Sequence, residues 1–156
     1  MEGFKAPERA TIELQPATEA DIPLLIEIEK SVANTKTYSA ADTEEDWRIE
    51  FRDSVIYILR DTAGVAVGNI SYQQKGPDHI YISGLVIKPE FQGNGFARTA
   101  LTKLLAQHPE AKRIDLVTHP DGQGLSLYES LGFVVEDRKE NYYDDGEPRL
   151  VLALTR

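Results

Sequence analysis

The spacing of apolar positions changes several times along the chain, and each change marks an element. Residues 11–14 alternate as a short first strand that Pro16 closes. From Thr18 the spacing becomes helical, to about Ala33. Thr18 serves as N-cap, with Asp21 three residues on, near the positive end of the helix dipole. On this helix Ile22, Leu25, Ile26, Val32 and Ala33 share one face, and Glu29 falls in the middle of it. A loop over 34–41 leads to a second helix with Asp42 and Glu45 at capping-box spacing; Trp47 and Phe51, four apart, share its buried side.

The remainder is strand-rich. Runs 55–60 and 65–74 flank Asp61-Thr62-Ala63-Gly64, a hairpin turn, and a fourth strand, 79–87, follows the turn at Gly76-Pro77-Asp78. The clearest helix is 94–108, where Ala97, Ala100, Leu101, Leu104, Leu105 and His108 form a one-sided stripe. A strand at 113–118 precedes a short helix, 122–131, ended by Gly132 at the C′ position. Two last strands, near 134–143 and 149–154, flank Asp144-Asp145-Gly146-Glu147-Pro148. This order predicts an α/β fold, a mixed sheet of about seven strands flanked by about four helices. No linker or repeat divides it, so one domain, 11–156, is expected behind a flexible tail, 1–10.

Composition narrows the chemistry. The chain of 156 residues is long enough to bury a core without disulfides or metal staples. It has no cysteine, which removes thiol nucleophiles and thiolate zinc sites. His79, His108 and His119 show no paired ligand spacing, so no metal is expected. Seventeen basic against 26 acidic side chains give a net charge of −9, which disfavours nucleic acid and favours cationic or amine-bearing partners. The first nine residues carry no signal-like apolar run and no stretch is long enough to span a membrane, so a cytoplasmic protein without membrane partners is expected. An edge strand near the C-terminus could pair with a second copy in a homodimer.

The candidate chemistry starts where the strand Leu85-Val86-Ile87 ends and Lys88-Pro89-Glu90-Phe91-Gln92-Gly93-Asn94-Gly95-Phe96-Ala97-Arg98 opens a helix. Glycines allow close backbone approach and positive φ, and the free N–H groups of a first helical turn favour an anion. The segment reads as a phosphate cradle or, more simply, a tight turn. It lacks the Gly-Lys-Ser/Thr of a P-loop, and Arg98 stands where a dinucleotide fingerprint needs its third small residue.

Gln92-Gly93-Asn94-Gly95-Phe96-Ala97 instead resembles the Gln/Arg-x-x-Gly-x-Gly/Ala signature of the GNAT family of N-acetyltransferases. Leu127-Tyr128-Glu129-Ser130-Leu131-Gly132-Phe133 is similar to the Leu-Tyr-x-x-x-Gly-Phe block that follows it there. The resemblance implies acetyl-CoA as acyl donor, the backbone of Val86 and Ile87 on its pantetheine arm, and N–H groups from Gln92 to Arg98 on its pyrophosphate. Arg98 either adds a charge to a phosphate or is a solvated arginine. Tyr128 matches the family's general acid, or is a packed aromatic shaping the channel. Two positions depart from the pattern: Asp121 replaces an asparagine and cannot donate as an amide does, and Gly124 weakens the short helix. Asn141 to Glu147 resembles the Tyr-Tyr turn of protein N-terminal acetyltransferases, including the ribosomal-protein type, which implies Tyr142 and Tyr143 as substrate-binding residues. Leu116 stands where those enzymes have their glutamate base.

A base must therefore come from elsewhere. A carboxylate on an apolar face is costly unless paired or functional, so Glu29 is the candidate base or amine-binding group, against a salt-bridged or solvated role. His79 and His119, each at a strand terminus, are further candidates, and water could serve instead. The expected function is direct transfer of an acetyl group from acetyl-CoA to an amine of a small molecule, protein or peptide. The alternatives are a non-catalytic acyl-CoA-binding module on the same scaffold and a nucleotide-binding protein using Gly93 and Gly95.

Overall fold

The structure, a computed structural model, describes residues 11–33 and 37–156. The tail expected over 1–10 and residues 34–36 of the first loop lie outside the described residues. The elements are β1 (Glu13–Pro16), α1 (Ile22–Lys30), α2 (Glu44–Asp53), β2 (Val55–Arg60), β3 (Ala66–Gly76), β4 (His79–Ile87), α3 (Phe96–Gln107), β5 (Arg113–Thr118), α4 (Gly124–Ser130), β6 (Val134–Lys139) and β7 (Arg149–Thr155). The strands form one sheet in the order β1-β2-β3-β4-β5-β7-β6. Among the described residues only β4 and β5 run parallel, so the sheet is mixed, as the sequence predicts, and mostly antiparallel.

Strand alternation divides the residues of the sheet between two faces. On one, Ile70, Ile80, Ile82, Ile114, Leu116 and Leu152 pack against Phe96, Ala100, Leu101 and Leu104 of α3. On the other, Ile56 and Ile58 of β2 meet Ile22 and Leu25 of α1 and Trp47 of α2. Each buried Leu or Ile contributes about 1.5–3 kcal/mol relative to exposure.

The boundaries differ from expectation where local geometry intervenes. Thr18 N–H donates to Asp21 Oδ2 at 2.9 Å, as its spacing suggests. The helix nevertheless opens as a 3-10 turn, Glu19–Asp21, before α1 begins. The α2 cap falls on Thr43 rather than Asp42, because the extended Thr43 accepts from Asp46 N–H at 3.1 Å. The strand expected to reach residue 143 ends at Lys139, since Asn141 and Asp144 take left-handed φ of 49° and 59° and turn the chain.

One irregularity positions the site. β4 pairs with β5 only from His79–Arg113 to Ile82–Leu116. Just beyond, Ser71 pairs with Gly84 but Tyr72 with Ile82, so Ser83 is an extra, bulged residue. The bulge bends β4 away from β5, and residues 83–87 keep β3 on one side with no strand on the other among the described residues.

Candidate active site

The cradle forms where β4 gives way to α3. Gly93 and Gly95 take φ of 79° and 83°, and Gly95 is the α3 N-cap. Residues with a Cβ resist that conformation. The helix ladder starts with Thr99 N–H to Gly95 O at 3.0 Å, so the N–H groups from Gly93 to Arg98 remain available to a ligand. Gln92 Nε2 donates to Ile87 O at 2.9 Å and Asn94 Nδ2 to Phe91 O at 3.2 Å, which tie the loop to the end of β4. Arg98 donates to Ser130 Oγ at 2.6 Å on the rim. A cavity of about 400 Å³ lies over this loop and runs to Leu127 and Tyr128.

The second motif has its own mechanics. Gly132, with φ of 100°, lets Phe133 N–H bond Tyr128 O at 3.0 Å and Gly132 N–H bond Glu129 O at 3.0 Å, ending α4 in a Schellman arrangement. The Phe133 ring then meets the Tyr128 ring edge-on at 5.8 Å. Gly124 gives the ring room, since a Cβ there would stand 2.9 Å from the Tyr128 ring and one of the two would have to shift. Tyr128 is buried and its hydroxyl has no hydrogen bond among the described residues. Burial pushes its phenol up to about 12.

A second cavity of about 370 Å³ fills the splay between β4 and β5. It shares Leu85, Ile87, Gln92, Gln123, Gly124 and Tyr128 with the first, so cradle and cleft are continuous. Within β4 the backbone alternates. A Cβ on Gly68 of β3 would lie 1.9 Å from Val86 O, and Lys88 N–H bonds Val67 O, so Val86 turns its polar groups toward β3. Leu85 and Ile87 turn theirs toward the open edge, whereas Val86, named with Ile87 from the resemblance, is bonded to β3.

Beyond the cleft, a smaller cavity of about 140 Å³ opens under α1 and α2, lined by Glu29, Glu50, Asn69, Ser71 and Ser83 among others. Tyr38, Ser39, Ser83, Gly84 and Tyr143 border both spaces. Glu29 is 2 % exposed, without a salt bridge among the described residues; Tyr38 donates its hydroxyl to Glu29 Oε1 at 3.2 Å. Burial raises the Glu29 carboxyl from its ordinary 4.5 to about 8, against the lowering effects of the Tyr38 hydroxyl and the Ala41 backbone. Burial also raises Glu50, which accepts from Ser54 Oγ at 3.0 Å.

The other candidates separate clearly. His119 borders the cleft, but its Nδ1 accepts from Asp121 N–H at 2.9 Å and its Nε2 faces Glu147 Oε1 at 2.8 Å, which leaves no lone pair for a base. His79 bonds Asp115 at the far end of β4. Tyr143 lines the cleft with Arg149 stacked over its ring at 5.1 Å. Tyr142 touches Tyr143 edge-on but does not border the cavity. Asp121 borders neither the cradle nor the cleft. Sequence reasoning missed Tyr38, Glu50, Asn69, Ser71 and Ser83. The available signal was Asn69 and Ser71 at alternate positions of an otherwise apolar strand.

A profile of the acetyltransferase (GNAT) family matches residues 23–133. The chain belongs to that family. The family's donor is acetyl-CoA, and the free N–H cradle beside a buried, unpartnered tyrosine fits such a group. Among curated proteins no sequence matches. The fold is similar to the ribosomal-protein-S18-alanine N-acetyltransferase of Escherichia coli, at 18% identity over 93% of this chain and 94% of that one, with a TM-score of 0.76. It is also similar to the spermidine/spermine N-acetyltransferase SpeG of Vibrio cholerae, at 18% identity over 96% and 95%, TM-score 0.73. An acetyltransferase of Thermus thermophilus is 19% identical over 94% and 97%, TM-score 0.74.

Proposed function

We propose that this chain transfers an acetyl group from acetyl-CoA directly to a primary amine, with both substrates bound at once. The observation that carries this reading is the unpaired edge of β4, lying between the glycine cradle and Tyr128. Bound acetyl-CoA supplies an activated thioester. The N–H groups from Gly93 to Arg98 hold its pyrophosphate. The open edge at Leu85 and Ile87 pairs with its pantetheine arm as an added strand would. Backbone N–H groups of β4 polarise the carbonyl.

Tyr128 assists the leaving sulfur, and its elevated phenol defines how. A thiol ionises near roughly 8.5, so full proton transfer from a group at about 12 runs uphill. Tyr128 therefore donates a hydrogen bond to the developing thiolate, as an oxyanion donor does. The acceptor must attack as a neutral amine, and the open cleft lets water take its proton. The two named neighbours act on a protein alanine and on polyamines, which brackets the acceptor classes; Tyr143 and Glu29 are the acceptor-side groups on this chain.

The test is thiol release from acetyl-CoA across a panel of peptides, polyamines, amino sugars and amino acids. Release stimulated by one class is expected, and Tyr128→Phe should lower kcat by on the order of 10²–10³-fold while acetyl-CoA still binds. Full turnover by Tyr128→Phe would remove the tyrosine from the reaction. Silence across the panel with CoA bound favours the binding-module reading.

A further inference from the structure

The hollow under α1 and α2 is chemically unlike the rest of the interior. Two carboxylates from separate helices, Glu29 and Glu50, meet there, and among the described residues no lysine, arginine or histidine lines it. Isolated acidic groups are neutralised by nearby cations when their role is structural. Here Glu29 Oε2 and both amide atoms of Asn69 have no hydrogen-bond partner among the described residues, although Glu29 is 2 % and Asn69 1 % exposed. Buried polar atoms left unpartnered cost about 1–3 kcal/mol each, so a fold retains them where something else bonds them.

Resting on the acetyl-transfer reading above, we propose that this inner pocket holds a second ammonium group of the acceptor. The acceptor is then a diamine or longer polyamine, with one amine reacting in the outer cleft and another seated between Glu29 and Glu50.

An ammonium has three donors and no acceptor. Glu29 Oε2 and Asn69 Oδ1 supply two free acceptors, and a Glu50 oxygen supplies the third. Size points the same way. About 140 Å³ admits an ammonium on a short methylene arm. Gly84 borders both cleft and pocket, and a Cβ there would lie 3.0 Å from Ser71 Oγ. Burial raises both carboxyls in the absence of a cation, a penalty that a bound ammonium offsets. Glu29 is thereby an acceptor-holding group rather than the base, since Tyr38 stands between it and the cleft that Tyr128 borders.

The test compares 1,4-diaminobutane and its homologues of two to six carbons with n-butylamine. For the wild type, kcat/KM should favour the best diamine by about 10- to 100-fold, the strength of a charged hydrogen bond. Glu29→Gln and Glu50→Gln should each shrink that ratio toward one, with the acetyl-CoA KM serving as the check on folding. Equal use of mono- and diamine by the wild type overturns the pocket assignment while leaving acetyl transfer standing. A ratio that persists in the folded double variant also overturns it, as does an equal loss on both amines, which would mark Glu29 as a base. Calorimetric titration with the diamine alone separates the two ideas. Binding that Glu29→Gln abolishes supports the pocket even if turnover fails, and no binding by the wild type removes it.

Discussion

The two faces of the β2–β3–β4 region are made from alternate residues of the same strands, yet they are filled in opposite ways. Under α3, Ile70, Tyr72, Ile80 and Ile82 meet leucines, and apart from the His108 ring edge-on against Tyr72 the packing is apolar. Under α1 and α2, apolar packing around Ile58 and Trp47 gives way within one strand step to Asn69, Ser71 and the two glutamates. The first face stabilises the fold. The second sacrifices stability to unpartnered polar groups, and such groups are retained where they bind something.

Four substitutions would sharpen or break this contrast. The largest effect is expected where the faces meet. Gly68→Ala places a methyl 1.9 Å from Val86 O, and since that neighbour is backbone the strand must move. A loss of about 3 kcal/mol or more is expected in urea unfolding, at or beyond the upper end for overpacking. Leu104→Ala, on the apolar face and fully buried, should cost about 2–5 kcal/mol by the same measurement.

Glu29→Gln should behave in the opposite sense. In the folded chain this carboxyl keeps its proton up to about 8, against an ordinary 4.5. Its contribution to stability is full below the ordinary value and is lost as pH rises toward 8, by at most about 1.4 kcal/mol per pH unit. The variant should flatten that limb, equalling or exceeding wild-type stability above pH 8 with no such advantage at pH 4. A steeper alkaline loss in the variant would mean that Glu29 is ionised and paired. The smallest effect falls on the rim. Arg98→Ala should raise the acetyl-CoA KM by roughly 2- to 5-fold, the scale of an exposed charge contact, with kcat unchanged in steady-state assays.

The donor side was legible because its instructions are local. Gly93 and Gly95 at a strand-to-helix junction, and Tyr128 four residues before Gly132, each act within one turn of chain, so spacing alone indicates the geometry. The acceptor side was half legible. Glu29 stands out on its apolar helix face, but its companions come from α2, β3, a bulge in β4 and a loop, and no periodicity links them. His119 shows the opposite failure: in sequence a plausible base, in the fold a histidine with both ring nitrogens engaged.

By itself, then, the sequence determined the order of elements, the cradle and the capped tyrosine helix, since each depends on backbone preferences and side-chain spacing over a few residues. Tertiary structure alone decided that β4 leaves β5 at Ser83, that Leu85 rather than Val86 faces the opening, and that two glutamates share a pocket with an unpartnered asparagine. Those outcomes depend on strand register and helix docking, which bring together groups as distant in the chain as Glu29 and Gly84.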